Sequence, residues 1–245
     1  VILLLVVITT FIADSSADII QALGLDSKAG RFDFDLGFLI QREYSPEISF
    51  LPIDFVYLIL LGIIIGIFAE IYSRFVLKMQ IIGKKWYKNK FVLKMSICGF
   101  MLGTIYSFLP STFHNLDELQ KIIAEQNTSI AIALLAVIVL FITTGLAAAS
   151  GAPGGLFYPM LTLGGATGLI IGNWVEMATG HAPSTYIFAG MGAFVAGCSR
   201  TPITAMFLAF ALTKNLLIMK PVLISCITSY LIARLFHDES IYERQ

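Results

Sequence analysis

Charged side chains are scarce in this sequence. Of its 245 residues only 13% are charged, whereas 57% are hydrophobic. Soluble domains carry about 25% charged residues. A soluble fold could not bury this much apolar surface, so we expect lipid to be the solvent for much of the chain. The 16 basic and 16 acidic residues cancel, which leaves no electrostatic case for nucleic acid as a partner.

Cysteine and histidine are few and dispersed. The three cysteines lie far apart in apolar runs, at Cys98, Cys198 and Cys226. Their spacing fits neither a disulfide framework nor a metal site, so we interpret them as packing residues. The three histidines are equally scattered, at His114, His181 and His237. We therefore predict no metal and no cofactor.

Long hydrophobic runs are what the sequence does have. They cover residues 1–12, 54–78, 91–109, 129–148, 160–178, 185–213 and 214–236. Several are long enough to span about 30 Å of hydrocarbon as helices. "GMG" and "CSRTP" are expected to interrupt the run at 185–213. The pattern predicts an all-α, multi-pass membrane protein with broken and tilted helices.

Polar segments separate these runs and indicate the orientation. The basic segment 79–90 is predicted to be a cytoplasmic loop under the positive-inside rule. Residues 25–50 and 110–128 are polar and mildly acidic, and 110–128 suits the outer side. Within the run at 54–78, Glu70 and Arg74 are four residues apart and can pair on one helix face.

The stretch "ASGAPGGLFYP", residues 149–159, is poor material for a membrane helix. Its three glycines let the backbone approach a ligand closely. A helix is predicted to start near Leu156 or Phe157, with Pro159 in its first turn, where a missing N–H costs little. The first amides of such a helix have no intrahelical partner and can hold an anion.

One helix end is not enough to bind a desolvated anion. Desolvation costs several kcal/mol, whereas one hydrogen bond to a charge returns about 1.5–3 kcal/mol. Several donors must therefore converge. The alternative for this stretch is a packing kink, and Gly62-x-x-x-Gly66 and Gly168-x-x-x-Gly172 are interpreted as packing motifs of that kind.

Two other classes of function stay open on the residues alone. Ser150 beside Gly151 could be the nucleophile of an intramembrane enzyme, but no histidine or lysine is placed to activate it, since the nearest, His181, is about thirty residues away. A purely structural membrane protein is the other alternative. We expect the chain not to be an enzyme.

Several segments together resemble the CLC family of chloride channels and proton-coupled chloride antiporters. "SGAPGGLFYP" resembles the family's GxFxP segment, and "LGIIIGIFAEIYSRFVLKMQ" resembles a long helix ahead of the filter. "FAGMGAFVAGCSRTPITA" resembles the AGMGA…R-x-P-[IL]-T block, and "TKN" and "IY" fall where the family's last helices begin. The similarity covers nearly the whole chain, as the C-terminal part of one CLC membrane domain (residues 1–245).

The resemblance implies a site and a partner. In the family, amides at the positions of Leu156 and Phe157 and a tyrosine hydroxyl at the position of Tyr242 bind the central anion. Loop-shaping residues would be Ser150, Gly151, Pro153, Gly154, Gly155 and Pro159. The family is a homodimer, which implies an interface near residues 1–20 and 203–232. It also implies chloride, and possibly protons, as transported ions, with the C-terminus in the cytoplasm of a plasma or inner membrane.

Departures from the family pattern limit these expectations. The G-S-G-I-P-like and G-[KR]-E-G-P loops of the family, which include its gating glutamate, are absent from this sequence. We expect the chain to be a fragment that lacks the N-terminal half and the last helix. Chloride–proton antiport is the main expectation; a passive voltage-gated channel and a fluoride-selective relative are the alternatives. Ala211 stands where some relatives have an acidic residue, and Arg200 is expected to cap a helix or to snorkel.

Overall fold

The structure is a computed structural model that describes residues 52–86, 91–113, 115–124, 129–151, 155–179, 185–213 and 218–245. All regular elements in these ranges are helical. The predicted helix at 1–12, the loop at 25–50 and the interface segment 1–20 lie outside the described residues. So does most of the linker after residue 213.

Eight α-helices follow one another in the described ranges. They are α1 (Pro52–Trp86), α2 (Phe91–Ser107), α3 (Leu116–Ala124), α4 (Ile130–Ser150), α5 (Phe157–Thr179), α6 (Thr185–Ser199), α7 (Pro202–Thr213) and α8 (Met219–Phe236). A 3₁₀ turn, Ser111–Phe113, precedes α3. Three of these helices are long and apolar enough to cross a membrane, over Asp54–Lys85, Ile130–Ser150 and Met219–Phe236.

The predicted loop at 79–90 is wrong for residues 79–86. Helix α1 continues to Trp86 and carries Lys84 and Lys85 in its last turn. Lysine and glutamine are good helix formers, and residues 79–85 contain no proline to stop the helix. Gly83 packs directly against the backbone of Ala149, so this end of α1 lies against the end of α4. Basic residues indicate which side of the membrane a segment faces, but they do not determine where a helix ends.

The segment 110–128, read from the sequence as merely polar, contains α3. Leu119 and Ile123 are fully buried, and Gln120 donates a buried hydrogen bond from Nε2 to Thr162 Oγ1 at 2.9 Å. The i, i+4 spacing of the two apolar residues forms a narrow apolar stripe on a short polar helix. This helix packs on the first turns of α5.

The expected interruption at "GMG" is also wrong, because α6 runs unbroken through Gly190. A Cβ atom on Gly190 would collide with the backbone of Gly164 and Gly168 on α5. Glycine here permits close helix contact rather than a break. The break at "CSRTP" is confirmed: Arg200 has a positive φ of 63°, and α7 begins at Pro202.

Helix α6 is the centre of the described structure, since its residues from Thr185 to Cys198 are all buried. It packs most extensively on α5 and α8. Two serines on α8 donate hydrogen bonds to α6 carbonyls: Ser225 to Ala189 at 3.3 Å and Ser229 to Ala193 at 2.7 Å. Two serine hydroxyls one helical turn apart thus join α8 to α6 within the buried interface.

The two Gly-x-x-x-Gly motifs are confirmed as packing motifs. A Cβ atom on Gly66 would lie 2.8 Å from the Ser229 carbonyl oxygen, and one on Gly62 would lie 2.7 Å from Thr228 Cβ, so both glycines bring α1 against α8. Gly168 and Gly172 face Tyr186 on α6 in the same way. Phe68 and Phe141 fill the neighbouring contact of α1 with α4, as stacked rings 5.8 Å apart.

Gly66→Val should destabilise the fold through overpacking of α1 on α8. Such a substitution costs about 1–3 kcal/mol, so the midpoint of thermal unfolding in detergent should fall. Gly99→Val is the matched control, because a Cβ atom on Gly99 meets nothing within 4 Å. An equal fall for both variants would contradict close packing at Gly66.

Candidate anion-binding site

The break between α4 and α5 begins with a left-handed C-cap. Gly151 has φ 74° and ψ 10°, and its N–H donates to the Ala148 carbonyl at 3.4 Å. A residue with a side chain would be strained in this conformation. The Ser150 hydroxyl donates to the Ala147 carbonyl at 2.7 Å. The α4 side of the break is therefore closed by local hydrogen bonds.

Helix α5 begins at Phe157, which confirms the predicted helix start. Its backbone pairing starts with the bond from Met160 N to Leu156 O at 3.1 Å. The amides of Leu156 and Phe157 precede this bond and have no intrahelical acceptor. Pro159, the third helical residue, is buried and has no N–H to leave unpaired.

The approach to these amides is open on the Gly155 side. Gly155 is exposed, and a Cβ atom there would meet nothing within 4 Å. The side chains of Leu156 and Phe157 are half-buried and pack against the apolar core. The apolar core thus holds the first residues of α5. Their amides precede the first backbone hydrogen bond of the helix. Pro153 and Gly154 lie outside the described residues.

Buried hydrogen bonds hold the first turns of α5. Thr162 is fully buried and donates from Oγ1 to the Tyr158 carbonyl at 3.0 Å, while it accepts from Gln120 of α3. Breaking a buried bond of this kind leaves an unsatisfied polar group, which costs about 1–3 kcal/mol. The helix start is therefore a fixed feature of the backbone.

Tyr242 lies in a helical turn closed by a capping box. The Ser240 N–H donates to Glu243 Oε2 at 2.7 Å, and the Glu243 N–H donates to Ser240 Oγ at 3.3 Å. The Ser240 N–H, together with the Ser240 hydroxyl that also donates to Glu243, holds the pKa of the Glu243 carboxyl below its usual value. The motif S-x-x-E is readable in the sequence and was missed there.

This turn docks on the end of α6. Ile241 is fully buried, and its N–H donates to the Cys198 carbonyl at 3.0 Å. The Tyr242 side chain is 49% exposed, and partial burial raises the pKa of its hydroxyl. The phenol is consequently protonated at neutral pH and offers an O–H donor.

The structure places the predicted ligands on two elements that share α6 as a neighbour. Leu156 and Phe157 begin α5, which packs along α6, and Tyr242 follows α8 in a turn docked on the C-terminal end of α6. Convergence of the two amides and the hydroxyl on one anion stays a prediction. Among the described residues, no group of three or more His, Cys, Asp or Glu side chains is arranged to hold a metal ion.

A buried charge cluster surrounds Glu70 on α1. The predicted pair with Arg74 is confirmed at 2.9 Å. Glu70 also pairs with Arg200 at 2.9 Å and with Arg244 at 3.1 Å, which the sequence did not predict. The partners are more than 100 residues away, and no local spacing signals them. Arg200 caps α6 and α8 as expected, since its guanidinium donates to the Gly197 and Ala233 carbonyls.

Comparison with known proteins places the chain in a family. Residues 2–234 match the family model described as voltage gated chloride channel, the CLC family. This chain belongs to the CLC family. The all-helical fold agrees with that membership.

Individual CLC proteins are similar over most of this chain. It is 31% identical to the H(+)/Cl(-) exchange transporter ClcA of Vibrio parahaemolyticus over 76% of its own length and 41% of that protein. It is 30% identical to ClcA of Vibrio campbellii over 82% of its length and 43% of that protein. The chain therefore spans less than half the length of these relatives.

A solved CLC structure has the same fold. The crystal structure of a slow cyanobacterial Cl⁻/H⁺ antiporter aligns with a TM-score of 0.69 and 26% identity. The alignment covers 80% of this chain and 47% of the antiporter. The apolar helices of this CLC chain thus belong to an integral membrane protein.

Ser240→Ala should loosen the turn that carries Tyr242. Loss of an N-cap side chain costs about 0.5–2 kcal/mol, so hydrogen exchange at the Ile241 amide should accelerate about 2- to 30-fold. Hydrogen-exchange mass spectrometry on the peptide containing Ile241 measures this. Glu239→Gln, at an exposed neighbour, is the control. Unchanged exchange in Ser240→Ala would show that the capping box does not hold the turn.

Acidification should loosen the same turn. Because the pKa of Glu243 is lowered in the folded state, its contribution to stability is present above the ordinary carboxyl pKa of about 4.3 and is lost as the pH falls through the folded pKa. Exchange at Ile241, corrected for intrinsic rates, should rise below about pH 4. Glu243→Gln should abolish this pH dependence; a dependence that persists would assign it to another group.

Proposed function

We propose that the complete protein exchanges chloride for protons across a membrane. Chloride is bound by the amides of Leu156 and Phe157 and by the hydroxyl of Tyr242. The observation that best supports this proposal is the start of α5. Two amides there precede the first helical hydrogen bond, beside the exposed Gly155 and within an apolar helical bundle. The relatives named as H(+)/Cl(-) exchange transporters support chloride and protons as the ions.

Neutral donors suit transport better than a charged ligand. The stretch 149–159 has no lysine or arginine. Partial charges on amides and a hydroxyl can replace part of the hydration shell of an anion and still release it. A full positive charge in contact with the ion would slow its release. Ser150, Gly151, Pro153, Gly154, Gly155 and Pro159 act by shaping this loop.

We place the cytoplasmic side at the basic end of α1. Lys84 and Lys85 lie there and are exposed. From Asp54 to Glu70 the helix rises about 24 Å, and from Glu70 to Lys84 it rises about 21 Å, so the Glu70 cluster lies near the middle of α1. We assign the remaining loop residues up to 90 to the cytoplasmic side, and the C-terminal segment to the same side, in a plasma or inner membrane.

The complete protein is proposed to be a homodimer. Large apolar side chains on α7 and α8 are exposed in the single chain: Ile203, Phe207, Ile227, Leu231 and Leu235. A second copy could cover them together with lipid, and residues 1–20 would complete the interface. Residues 1–245 would form the C-terminal part of one membrane domain. No cofactor and no enzymatic reaction are proposed, in keeping with relatives named as transporters.

Reconstitution of the complete gene product in liposomes tests the transport reaction. A chloride gradient should drive chloride flux without sodium or potassium flux, and it should drive protons in the opposite direction. Chloride flux without proton movement would favour a passive channel. Faster passage of fluoride than of chloride would favour a fluoride-selective protein, and no anion flux would contradict the proposal.

Substitutions at the helix start test the anion site. Gly155→Leu should lower chloride flux or alter anion selectivity, because a bulky side chain narrows the approach to the amides. Pro159→Ala tests the first turn in the same assay. Gly99→Val, at an uncrowded glycine of α2, is the control. Unchanged flux and selectivity in Gly155→Leu would remove the α5 start from the anion path.

A further inference from the structure

Glu70 is a nearly fully buried carboxylate in an otherwise apolar stretch of α1. Its side chain is 4% exposed, and both of its oxygens are used. Oε1 meets Arg74 Nε at 2.9 Å and Arg244 Nη1 at 3.1 Å, and Oε2 meets Arg200 Nη2 at 2.9 Å. His237 Nδ1 lies 3.5 Å from Oε1. One carboxylate thus joins four segments of the chain.

Two of these contacts are buried and come from distant segments. The side chains of Arg200 and Arg244 are 8% and 11% exposed, whereas that of Arg74 is 54% exposed. Arg200 also donates from Nη2 to the carbonyls of Ala233 at 3.0 Å and His237 at 2.9 Å, at the end of α8. Arg244 lies two residues after Tyr242. Glu70 therefore links α1, the α6–α7 turn and the end of α8 to the segment that contains Tyr242.

The backbone at Arg200 supports a specific arrangement. Its φ of 63° is in the left-handed region, which a residue with a long side chain rarely adopts. The arginine side chain accounts for this conformation, because its guanidinium reaches Glu70 and the α8 carbonyls at once. A buried ion pair is weak evidence for stability, but buried pairs can specify one arrangement among several.

We propose that Glu70 is a positioning residue for anion binding: it holds Arg244 and Arg200 so that the Tyr242 hydroxyl faces the anion. The inference rests on the proposed role of Tyr242 as a ligand. Glu70 does not touch the ion. It acts through the Tyr242 turn, whose other attachments are the capping box of Ser240 and the Ile241 amide.

A positioning role of Glu70 and a purely electrostatic role predict opposite effects on chloride affinity when the carboxylate is removed. Three guanidinium groups face one carboxylate, which leaves two positive charges in excess. Glu70→Gln raises this excess to three positive charges, so an effect of charge alone would tighten chloride binding. If Glu70 positions Tyr242, its removal would instead weaken chloride binding, because the Tyr242 hydroxyl is no longer held towards the ion. The sign of the change distinguishes the two.

Chloride binding to the purified complete protein, measured by isothermal titration calorimetry, is the test. Tyr242→Phe and Glu70→Gln should each raise the Kd about tenfold or more, as expected for a lost hydrogen bond to an anion. Glu70→Asp should recover part of the affinity. In the Tyr242→Phe background, Glu70→Gln should add little further loss, because both act through one hydroxyl.

Asp238→Asn is the matched charge control. It removes one negative charge from the same region, but Asp238 is 81% exposed and pairs with Arg234, outside the cluster. Its Kd should stay within about twofold of the parent, since exposed pairs contribute little. If Glu70→Gln does not fold, Arg244→Met removes the Tyr242-side contact while Arg74 and Arg200 still pair with Glu70, and it should raise the Kd alike. Because loss of a positive charge alone would also raise the Kd, the increase should largely disappear in the Tyr242→Phe background; an increase that persists there at full size would reject the positioning role.

The outcomes separate the two proposals. An unchanged Kd in Tyr242→Phe would reject Tyr242 as a ligand, and the positioning role with it. A raised Kd in Tyr242→Phe with an unchanged or lowered Kd in Glu70→Gln or Arg244→Met would reject only the positioning role. So would an effect of Glu70→Gln that persists at full size in the Tyr242→Phe background.

Discussion

A backbone group that is buried away from water must find a partner, and this constraint bears on the break between α4 and α5. Each unpaired N–H or C=O in such a place costs several kcal/mol unless protein or a ligand supplies a partner. On the α4 side, local hydrogen bonds satisfy backbone carbonyls: one from the Gly151 N–H in the left-handed cap and one from the Ser150 hydroxyl. On the α5 side, the amides of Leu156 and Phe157 precede the first helical bond, from Met160 N to Leu156 O. In the proposed function, an anion is their partner.

Such a site requires that the helix start does not move. Lipid provides no hydrophobic force to press helices together, so close packing and interhelical hydrogen bonds must do so. Gly164 and Gly168 bring α5 onto the backbone of α6, and Gln120 holds Thr162 from the other side. Helix α6 is in turn joined to α8 by Ser225 and Ser229. Groups that make no contact with the anion therefore fix the place where it would bind.

Local signals in the sequence predicted local features of the structure. The start of α5, the packing role of Gly62 and Gly66, and the pair of Glu70 with Arg74 all follow from spacings of a few residues. Glycine inside α6 was misread, because the same residue permits a break or a close contact, and only the neighbouring helix decides which. The partners of Glu70 beyond Arg74 could not be predicted, since their contacts join residues 130 and 174 positions apart. The capping box around Tyr242 could have been found, as its S-x-x-E pattern is local.

In the proposed site the ligands of the anion are neutral, and there is a physical reason for this choice. A guanidinium in direct contact with a chloride ion in a dry site would bind it strongly and release it slowly. Arg200 and Arg244 both meet the Glu70 carboxylate, and Arg200 also donates to backbone carbonyls, although Arg200 Nε and Arg244 Nε and Nη2 have no hydrogen-bond partner among the described residues. The proposed ligands of the ion are the neutral amides of Leu156 and Phe157 and the Tyr242 hydroxyl. In the proposal for Glu70, a buried carboxylate that does not touch the anion affects its binding by determining where a neutral donor lies.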